Sequence, residues 1–136
     1  MPVSFAPRVL IVEDEVEVLD EVASYLRRRG ETVMTATSCK EARRILEDDS
    51  KPVDVLISDA RMPDGNGVDL IRAHTERVGD RCICMLMTGH LEQSQIATEL
   101  HGVRIFYKPF PVATLYRELR SAFAGALPTK GVAAGA

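Results

Sequence analysis

The chain of 136 residues has little cysteine, no excess of positive charge and no long apolar run. Cys39, Cys82 and Cys84 include no C-x-x-C pair, which favours reduced, core-packing thiols in a cytoplasmic protein over metal ligands. The net charge of -3 argues against direct nucleic-acid binding. No apolar run reaches the roughly 18 residues of a membrane span. The first residues lack a basic segment followed by an apolar one, so we expect no secretory signal.

Strand and helix patterns alternate along the chain. Strands are predicted at 8–12, 32–36, 53–58, 82–87 and 104–107. Helices are predicted at 17–30, from Ser38 onward in a capping box with Glu41, around Leu70 and Ile71, at 91–100 and from about residue 112. Five strands alternating with five helices predict an α/β fold with a parallel sheet covered on both faces. We expect one domain over residues 1–124 and a flexible tail or linker over 125–136.

Chemically useful residues follow four of the five predicted strands at their carboxyl ends. The apolar run "VLIVEDE" (9–15) leads into Glu13 and Asp14, and the third strand is followed by Asp59. Thr88 and Lys108 follow the fourth and fifth strands. In an open parallel sheet such ends meet at one edge, where ligands bind. Three carboxylates there predict a site for Mg2+.

Such a set of residues suits phosphoryl transfer. A carboxylate can act as a nucleophile and form an aspartyl-phosphate. Phosphoryl transfer needs in-line positioning and positive charge at the phosphoryl oxygens, which Mg2+ and Lys108 would supply. The Thr88 hydroxyl is a suitable donor to a phosphoryl oxygen. Pro109 after Lys108 is expected to hold the turn, and an X-Pro bond permits the cis form.

Four segments in order resemble one known family. They are "VLIVEDE", "VDVLISDARMPDGNGVDLI", "MLMTGH" and "YKPF", and the chain is similar over residues 8–124 to the receiver domains of two-component response regulators. The resemblance implies a flavodoxin-like fold with strand order 2-1-3-4-5. It also implies a cytoplasmic signalling domain that catalyses only its own phosphorylation and dephosphorylation. The phosphodonor would be a histidine kinase or a phosphotransfer protein.

The resemblance also assigns roles to individual residues. Asp59 corresponds to the phosphoacceptor, Asp14 to the direct Mg2+ ligand and Glu13 to an acid that reaches the metal through water. The backbone carbonyl of Arg61 corresponds to a third protein ligand. Lys108 corresponds to the phosphate-contacting lysine, and Thr88 corresponds to the switch hydroxyl.

Other positions are expected to modify this behaviour. In the family, the positions of Arg61 and His90 tune how fast the phosphoryl group is lost. Ile105 stands where members often carry an aromatic residue, so we expect activation without an aromatic rotamer switch. Only 20 positions separate Thr88 from Lys108, which indicates a shortened fourth helix or loop. His74 and His101 are expected to be surface residues.

Two other functions remain as alternatives. A Mg2+-dependent phosphohydrolase would also use an aspartyl-phosphate, but such enzymes commonly place a second acid two residues after the nucleophile, where this chain has Arg61. A nucleotide-binding module is less favoured, because "GNG" (65–67) is half of a G-x-G-x-x-G motif and lies beyond the strand it should follow. The sequence leaves open the cognate kinase, the output partner or attached domain, the completeness of the chain and the oligomeric state.

Overall fold

The main sheet of the computed structural model has five parallel strands. The structure describes residues 7–89 and 102–126, without the side chains of 123–126. The strands are β1 (Arg8–Val12), β2 (Thr32–Ala36), β3 (Val55–Asp59), β6 (Ile83–Thr88) and β7 (Arg104–Tyr107). A short antiparallel hairpin follows β3 and consists of β4 (Arg61–Met62) and β5 (Gly65–Asn66).

Helices flank the sheet on both faces. The α-helices of the described residues are α1 (Val16–Arg28), α2 (Cys39–Leu46), α3 (Gly67–Val78) and α4 (Val112–Ala126), and a single 3-10 turn (Gly79–Arg81) follows α3. The predicted fourth helix at 91–100 lies outside the described residues, as do His90 and His101. Helix α4 includes residues 125 and 126, the first two of the predicted tail. None of the helices in 7–89 and 102–126 is long and apolar enough to cross a bilayer.

The strand order of the sheet is β2-β1-β3-β6-β7. Counted along the main sheet alone, this is the predicted order 2-1-3-4-5, and all four neighbouring pairs are parallel. The connections leave β1 and β3 in opposite directions, so the order reverses between these two strands. Their carboxyl ends therefore flank the position where open α/β sheets bind ligands.

Two apolar layers form the core, one on each face of the sheet. One layer contains Leu10 and Leu56 and packs against α2 and α3. The other contains Ile11 and Ile57 and packs against α1 and α4. Neighbouring residues of β1 and β3 thus point to opposite faces, as strand geometry requires. Burial on both faces explains why these strands are continuous apolar runs.

The start of α2 and the end of α1 lie close to the predicted positions. Ser38 precedes α2 and its Oγ accepts a hydrogen bond from the Glu41 amide at 3.1 Å. The Glu41 carboxylate accepts from the backbone N–H of Thr37 at 2.9 Å instead of from Ser38, so the reciprocal bond of the predicted capping box is shifted by one residue. Gly30 follows α1 with φ of 93°, a conformation that favours glycine.

One histidine departs from the prediction. His74 is 4% exposed, so it belongs to the buried face of α3 and does not lie on the surface. It follows Leu70 by four positions and Ile71 by three, and both of these are buried as well. Neither ring nitrogen has a hydrogen-bond partner among the described residues. Helical spacing therefore outweighs the polarity of this side chain.

Candidate functional site at the carboxyl edge of the sheet

The first acids of the site follow β1 directly. Glu13 is fully buried, and its backbone N–H donates to the carbonyl of Ala36 at 3.0 Å, which extends the β1–β2 ladder by one residue. Its Oε2 accepts from the backbone N–H of Glu15 at 3.1 Å. Asp14 lies between these two residues and is more exposed to solvent than Glu13. The turn thus holds one carboxylate inside the edge of the sheet and a second at its surface.

Asp59 is the last residue of β3, the central strand of the sheet. It is 9% exposed and pairs with Met87 of β6. The next residue, Ala60, donates its N–H to the Met87 carbonyl at 2.7 Å. The Ser58 hydroxyl donates to the Asp59 carbonyl at 2.9 Å. The backbone of Asp59 is therefore held on both sides of the carboxylate.

Gly67 allows α3 to begin directly against this strand end. A Cβ atom at this position would lie 2.2 Å from the Asp59 carbonyl oxygen and 2.8 Å from Ser58 Oγ. The Gly67 N–H donates to the Ala60 carbonyl at 2.8 Å. Any side chain at residue 67 would have to push the Asp59 backbone away.

The remaining predicted residues come from the two neighbouring strands. Thr88 ends β6 with 1% exposure, and its carbonyl accepts from the Lys108 N–H at 2.8 Å. Lys108 Nζ lies 2.8 Å from Glu13 Oε1 and 3.3 Å from Asp59 Oδ2. The Lys108–Pro109 peptide bond is cis. One ammonium group therefore contacts both buried acids.

The three acids form a cluster with the chemistry of a divalent-cation site. Glu13, Asp14 and Asp59 each offer one carboxylate oxygen, and these oxygens lie within 4.8 Å of one another. Hard oxygen donors are the ligands that Mg2+ takes in proteins. The residues present therefore fit the metal that the sequence predicts.

The surroundings of the site raise the pKa of one acid above its usual value. Burial, and then repulsion from Glu13, raises the pKa of Asp59 to about 6, although Lys108 acts in the opposite direction. Burial works against the charged form of Lys108, but the hydrogen bond to Glu13 and the charge of Asp59 together raise the pKa of the lysine. Lys108 thus stays cationic, and Asp59 is mostly ionised at neutral pH.

The loop after Asp59 contains a residue whose role the sequence does not reveal. Arg61 is exposed and begins β4, where it pairs with Asn66 of β5. Asp64 lies in the turn between them and accepts hydrogen bonds from the first two backbone N–H groups of α2. "PDG" at 63–65 indicates a turn, but nothing local predicts that its aspartate contacts a helix 24 residues earlier in the chain.

The edge strand β7 places its side chains on alternating faces. Ile105 is partly buried and packs against the α2–α3 layer. Phe106 is 7% exposed, lies in the α1–α4 layer and contacts the Phe110 ring at a centroid distance of 5.4 Å. Phe106 therefore does not replace an aromatic side chain at the position of Ile105.

Comparison with known proteins agrees with this architecture. The sequence-family model of the response regulator receiver domain matches residues 9–120 of this chain. The photosynthetic apparatus regulatory protein RegA of Cereibacter sphaeroides is 32% identical over 97 residues, which cover 71% of this chain and 50% of RegA. The chain therefore matches about half the length of this curated relative.

Solved structures show the same fold. The receiver domain of the hybrid histidine kinase CckA is 32% identical with a TM-score of 0.71, covering 84% of this chain and 96% of that one. A response regulator receiver domain protein from Clostridium thermocellum is 26% identical with a TM-score of 0.78, covering 88% and 95%. The chain therefore belongs to the response regulator receiver domains, the phosphoacceptor modules of two-component signalling.

Proposed function

We propose that Asp59 is the phosphoacceptor of this receiver domain. The observation that carries the proposal is the position of its carboxylate, which ends the central strand beside Glu13 and Asp14 and 3.3 Å from the Lys108 ammonium. Receiver domains bind Mg2+ in an acidic pocket, and these three acids would hold it together with the Arg61 backbone carbonyl. Bound Mg2+ supplies positive charge for the phosphoryl oxygens.

Asp59 acts as the nucleophile in its ionised form. Its carboxylate oxygen attacks the phosphorus of a phosphohistidine, the new O–P bond forms, and the N–P bond breaks with its electron pair on the histidine nitrogen. A pKa of about 6 leaves most of the Asp59 population ionised at pH 7. The donor is a histidine kinase or a phosphotransfer protein, as for other members of this family.

Lys108 and Thr88 complete the site from β7 and β6. The Lys108 ammonium already lies between Glu13 and Asp59, and a phosphoryl group on Asp59 would compete with Glu13 for it. Thr88 lies at the end of the neighbouring strand, and its hydroxyl is a donor suited to a phosphoryl oxygen. We propose that the conformational switch starts when Lys108 and the Thr88 hydroxyl exchange their present contacts for the phosphoryl oxygens.

Turnover of an external phosphoester is not favoured. Arg61 stands two residues after Asp59, and its guanidinium cannot serve there as a general acid and base. We propose that the domain catalyses only its own phosphorylation and dephosphorylation, with Arg61 and His90 setting the lifetime of the aspartyl-phosphate. Sustained hydrolysis of small phosphoesters, over many equivalents per chain, would contradict this proposal.

The location that we propose is cytoplasmic. Cys39, Cys82 and Cys84 are all buried and free, which suits a reducing compartment. Histidine kinases and phosphotransfer proteins also present their phosphoryl groups to receivers in that compartment.

Intact-mass spectrometry with acetyl phosphate tests the phosphoacceptor directly. We expect one added phosphoryl group on the native chain, and only when Mg2+ is present. Asp59→Asn should abolish the addition, whereas the matched control Asp20→Asn, which changes an exposed acid of α1, should not. Equal labelling of Asp59→Asn, or undiminished labelling in EDTA, would contradict the proposal.

A further inference from the structure

Asp64 joins the loop after Asp59 to the start of α2. Its Oδ1 accepts a hydrogen bond from the Cys39 N–H and its Oδ2 from the Lys40 N–H, both at 2.9 Å. These are the first two residues of the helix. The first N–H groups of a helix have no partner inside the helix and carry partial positive charge. A carboxylate that accepts from two of them is therefore held in both position and orientation.

A second side chain caps the same helix without touching the loop. Ser38 Oγ accepts from the Glu41 N–H at 3.1 Å. Ser38 and Asp64 thus divide the N-terminal donors of α2 between a local cap and a distant one. The two caps have similar chemistry, but only Asp64 connects α2 to the segment that carries the candidate phosphoacceptor.

The loop that Asp64 anchors is short and hydrogen-bonded at both ends. At one end, Ala60 donates to the Met87 carbonyl at 2.7 Å, and Gly67 donates back to the Ala60 carbonyl at 2.8 Å. Between them, Arg61 pairs with Asn66 across the hairpin. Asn66 caps α3 by accepting from the Asp69 N–H at 2.8 Å. Asp64 holds the tip of this hairpin, opposite its two fixed ends.

We propose that Asp64 is a positioning residue for Mg2+ binding and phosphorylation at Asp59. Its two hydrogen bonds to α2 hold the hairpin in the register that places the Arg61 backbone carbonyl and the Asp59 backbone relative to Glu13 and Asp14. The inference rests on the proposed function of Asp59. It assigns Asp64 a role that acts through Arg61, without contact to the metal or the phosphoryl group.

A measurement of Mg2+ affinity distinguishes a positioning role of Asp64 from a role in the stability of α2 alone. The chain has no tryptophan, so an NMR titration of Mg2+ is the suitable measurement. Asp64→Ala should weaken Mg2+ binding about tenfold, the lower end of the loss seen when groups that orient metal ligands are removed. Ser38→Ala removes the other cap of α2 and is the matched control. It should lower stability to a similar extent but change Mg2+ affinity less than about twofold.

Asp64→Asn distinguishes hydrogen bonding from charge. The amide keeps one acceptor oxygen and loses the negative charge, so we expect an affinity between those of the native chain and Asp64→Ala. If Asp64→Asn is as weak as Asp64→Ala, and high salt abolishes both differences, a long-range charge effect explains them and the inference is wrong. An unchanged affinity in Asp64→Ala, or an equal loss in Ser38→Ala, would also overturn it.

Amide hydrogen exchange without metal provides the second measurement. Asp64→Ala should accelerate exchange at Gly67 more than Ser38→Ala does, because only Asp64 anchors the hairpin. Equal exchange in the two variants would contradict the inference. A native chain that neither binds Mg2+ nor accepts phosphate would overturn the proposed function together with this role. A native chain that does both, alongside an unaffected Asp64→Ala, would overturn only the role of Asp64.

Discussion

Lys108 Nζ lies closer to Glu13 Oε1, at 2.8 Å, than to Asp59 Oδ2, at 3.3 Å. The lysine and Glu13 are 95 positions apart in the chain and meet at the carboxyl edge of the sheet. In this arrangement the buried acid next to Asp14 is the nearer partner of the lysine. The lysine nevertheless lowers the pKa of Asp59, against the burial and the Glu13 charge that raise it.

Replacing Lys108 with methionine should move the pH dependence of phosphorylation upward. The Lys108 charge favours ionised Asp59, so its loss leaves burial and repulsion from Glu13 with less opposition. We also expect a maximal labelling rate at least tenfold lower, because positive charge at the phosphoryl oxygens is lost. The measurement is the acetyl phosphate labelling rate from pH 5 to 9. The control Lys51→Met, an exposed lysine before β3, should leave the profile unchanged.

Asp59→Asn should stabilise the metal-free protein at pH 7. The pKa of Asp59 is about 6 in the folded state, against about 3.9 for an unperturbed aspartate. The folded state therefore binds more protons between these values, and the Asp59 contribution to stability falls as pH rises through this window. Asparagine has no such loss, so we expect a gain of about 1–2 kcal/mol at pH 7 that shrinks toward pH 4. Urea unfolding in EDTA measures it, with Asp20→Asn as control. A variant no more stable at pH 7 than at pH 4, relative to the native chain, would contradict this account.

The sequence predicts those residues of the site that lie at the carboxyl ends of the strands. Buried parallel strands are mostly apolar, so a charged or hydroxyl residue at the end of such a run marks its carboxyl end, and these ends meet at one edge of the sheet. Glu13, Asp59, Thr88 and Lys108 are predictable for this reason. The strand bounds differ from prediction by one or two residues in β3 and β6, and Asp59 itself completes β3.

Contacts between distant segments are not predictable in the same way. The sequence predicts only a turn at Asp64. Its hydrogen-bond partners are backbone N–H groups, which every residue but proline carries, so no residue type in the sequence marks them as partners. His74 presents the opposite case. Its spacing from Leu70 indicates burial, but the residue type argues for the surface, and packing between α2 and α3 decides the outcome.

Gly67→Ala should be far more damaging than alanine at another glycine. The added Cβ would meet the Asp59 carbonyl oxygen at 2.2 Å, so β3 or α3 has to move. We expect a loss of about 2–3 kcal/mol in unfolding free energy, as for overpacked cores. Gly30→Ala is the control, since its φ is 93° but nothing lies within 4 Å of its Cβ position. It should cost about 1 kcal/mol. Equal losses would show that the strand end adapts to the extra atom.

His74→Leu should stabilise the protein, and more so in mild acid. The ring is buried without hydrogen-bond partners among the described residues, which costs about 1–3 kcal/mol relative to a satisfied group. Burial, then Arg77 and Arg81, lower the pKa of His74. A lowered folded-state pKa means that stability is lost as pH falls below about 6.5, the value of an unperturbed histidine.

The charged neighbours of His74 come from both helices that enclose it. A cavity of about 150 Å³ beside the ring is lined by Arg43, Leu46, Glu47, Leu70, Ala73 and Arg77 in addition to His74. We expect a gain of about 1 kcal/mol for His74→Leu at pH 8 and a larger one at pH 5.5. Urea unfolding at both pH values measures it. The control Glu76→Leu, at an exposed position of α3, should show no such pH-dependent gain. A larger gain at pH 8 than at pH 5.5 would mean that His74 is charged in the folded state.

Asp14 and Glu13 should respond differently to isosteric replacement. Glu13 is buried, with Oε1 held by Lys108 and Oε2 by the Glu15 N–H, whereas Asp14 lies nearer the solvent. We therefore expect Asp14→Asn to weaken Mg2+ binding about tenfold or more, and Glu13→Gln to weaken it less, as for a ligand that acts through water.

A second measurement identifies the role of Glu13 in the absence of metal. The Glu13 charge raises the pKa of Asp59, so Glu13→Gln should lower the pH at which Asp59 titrates in EDTA, as followed by carboxyl carbon NMR shifts. We expect Asp14→Asn to have the larger effect on Mg2+ affinity and Glu13→Gln to have the larger effect on the pH at which Asp59 titrates. This result would assign Asp14 to the metal and Glu13 to the electrostatics of Asp59 and Lys108. If Glu13→Gln weakens Mg2+ binding more than Asp14→Asn does, Glu13 is the direct ligand, and Lys108 must leave it when the metal binds.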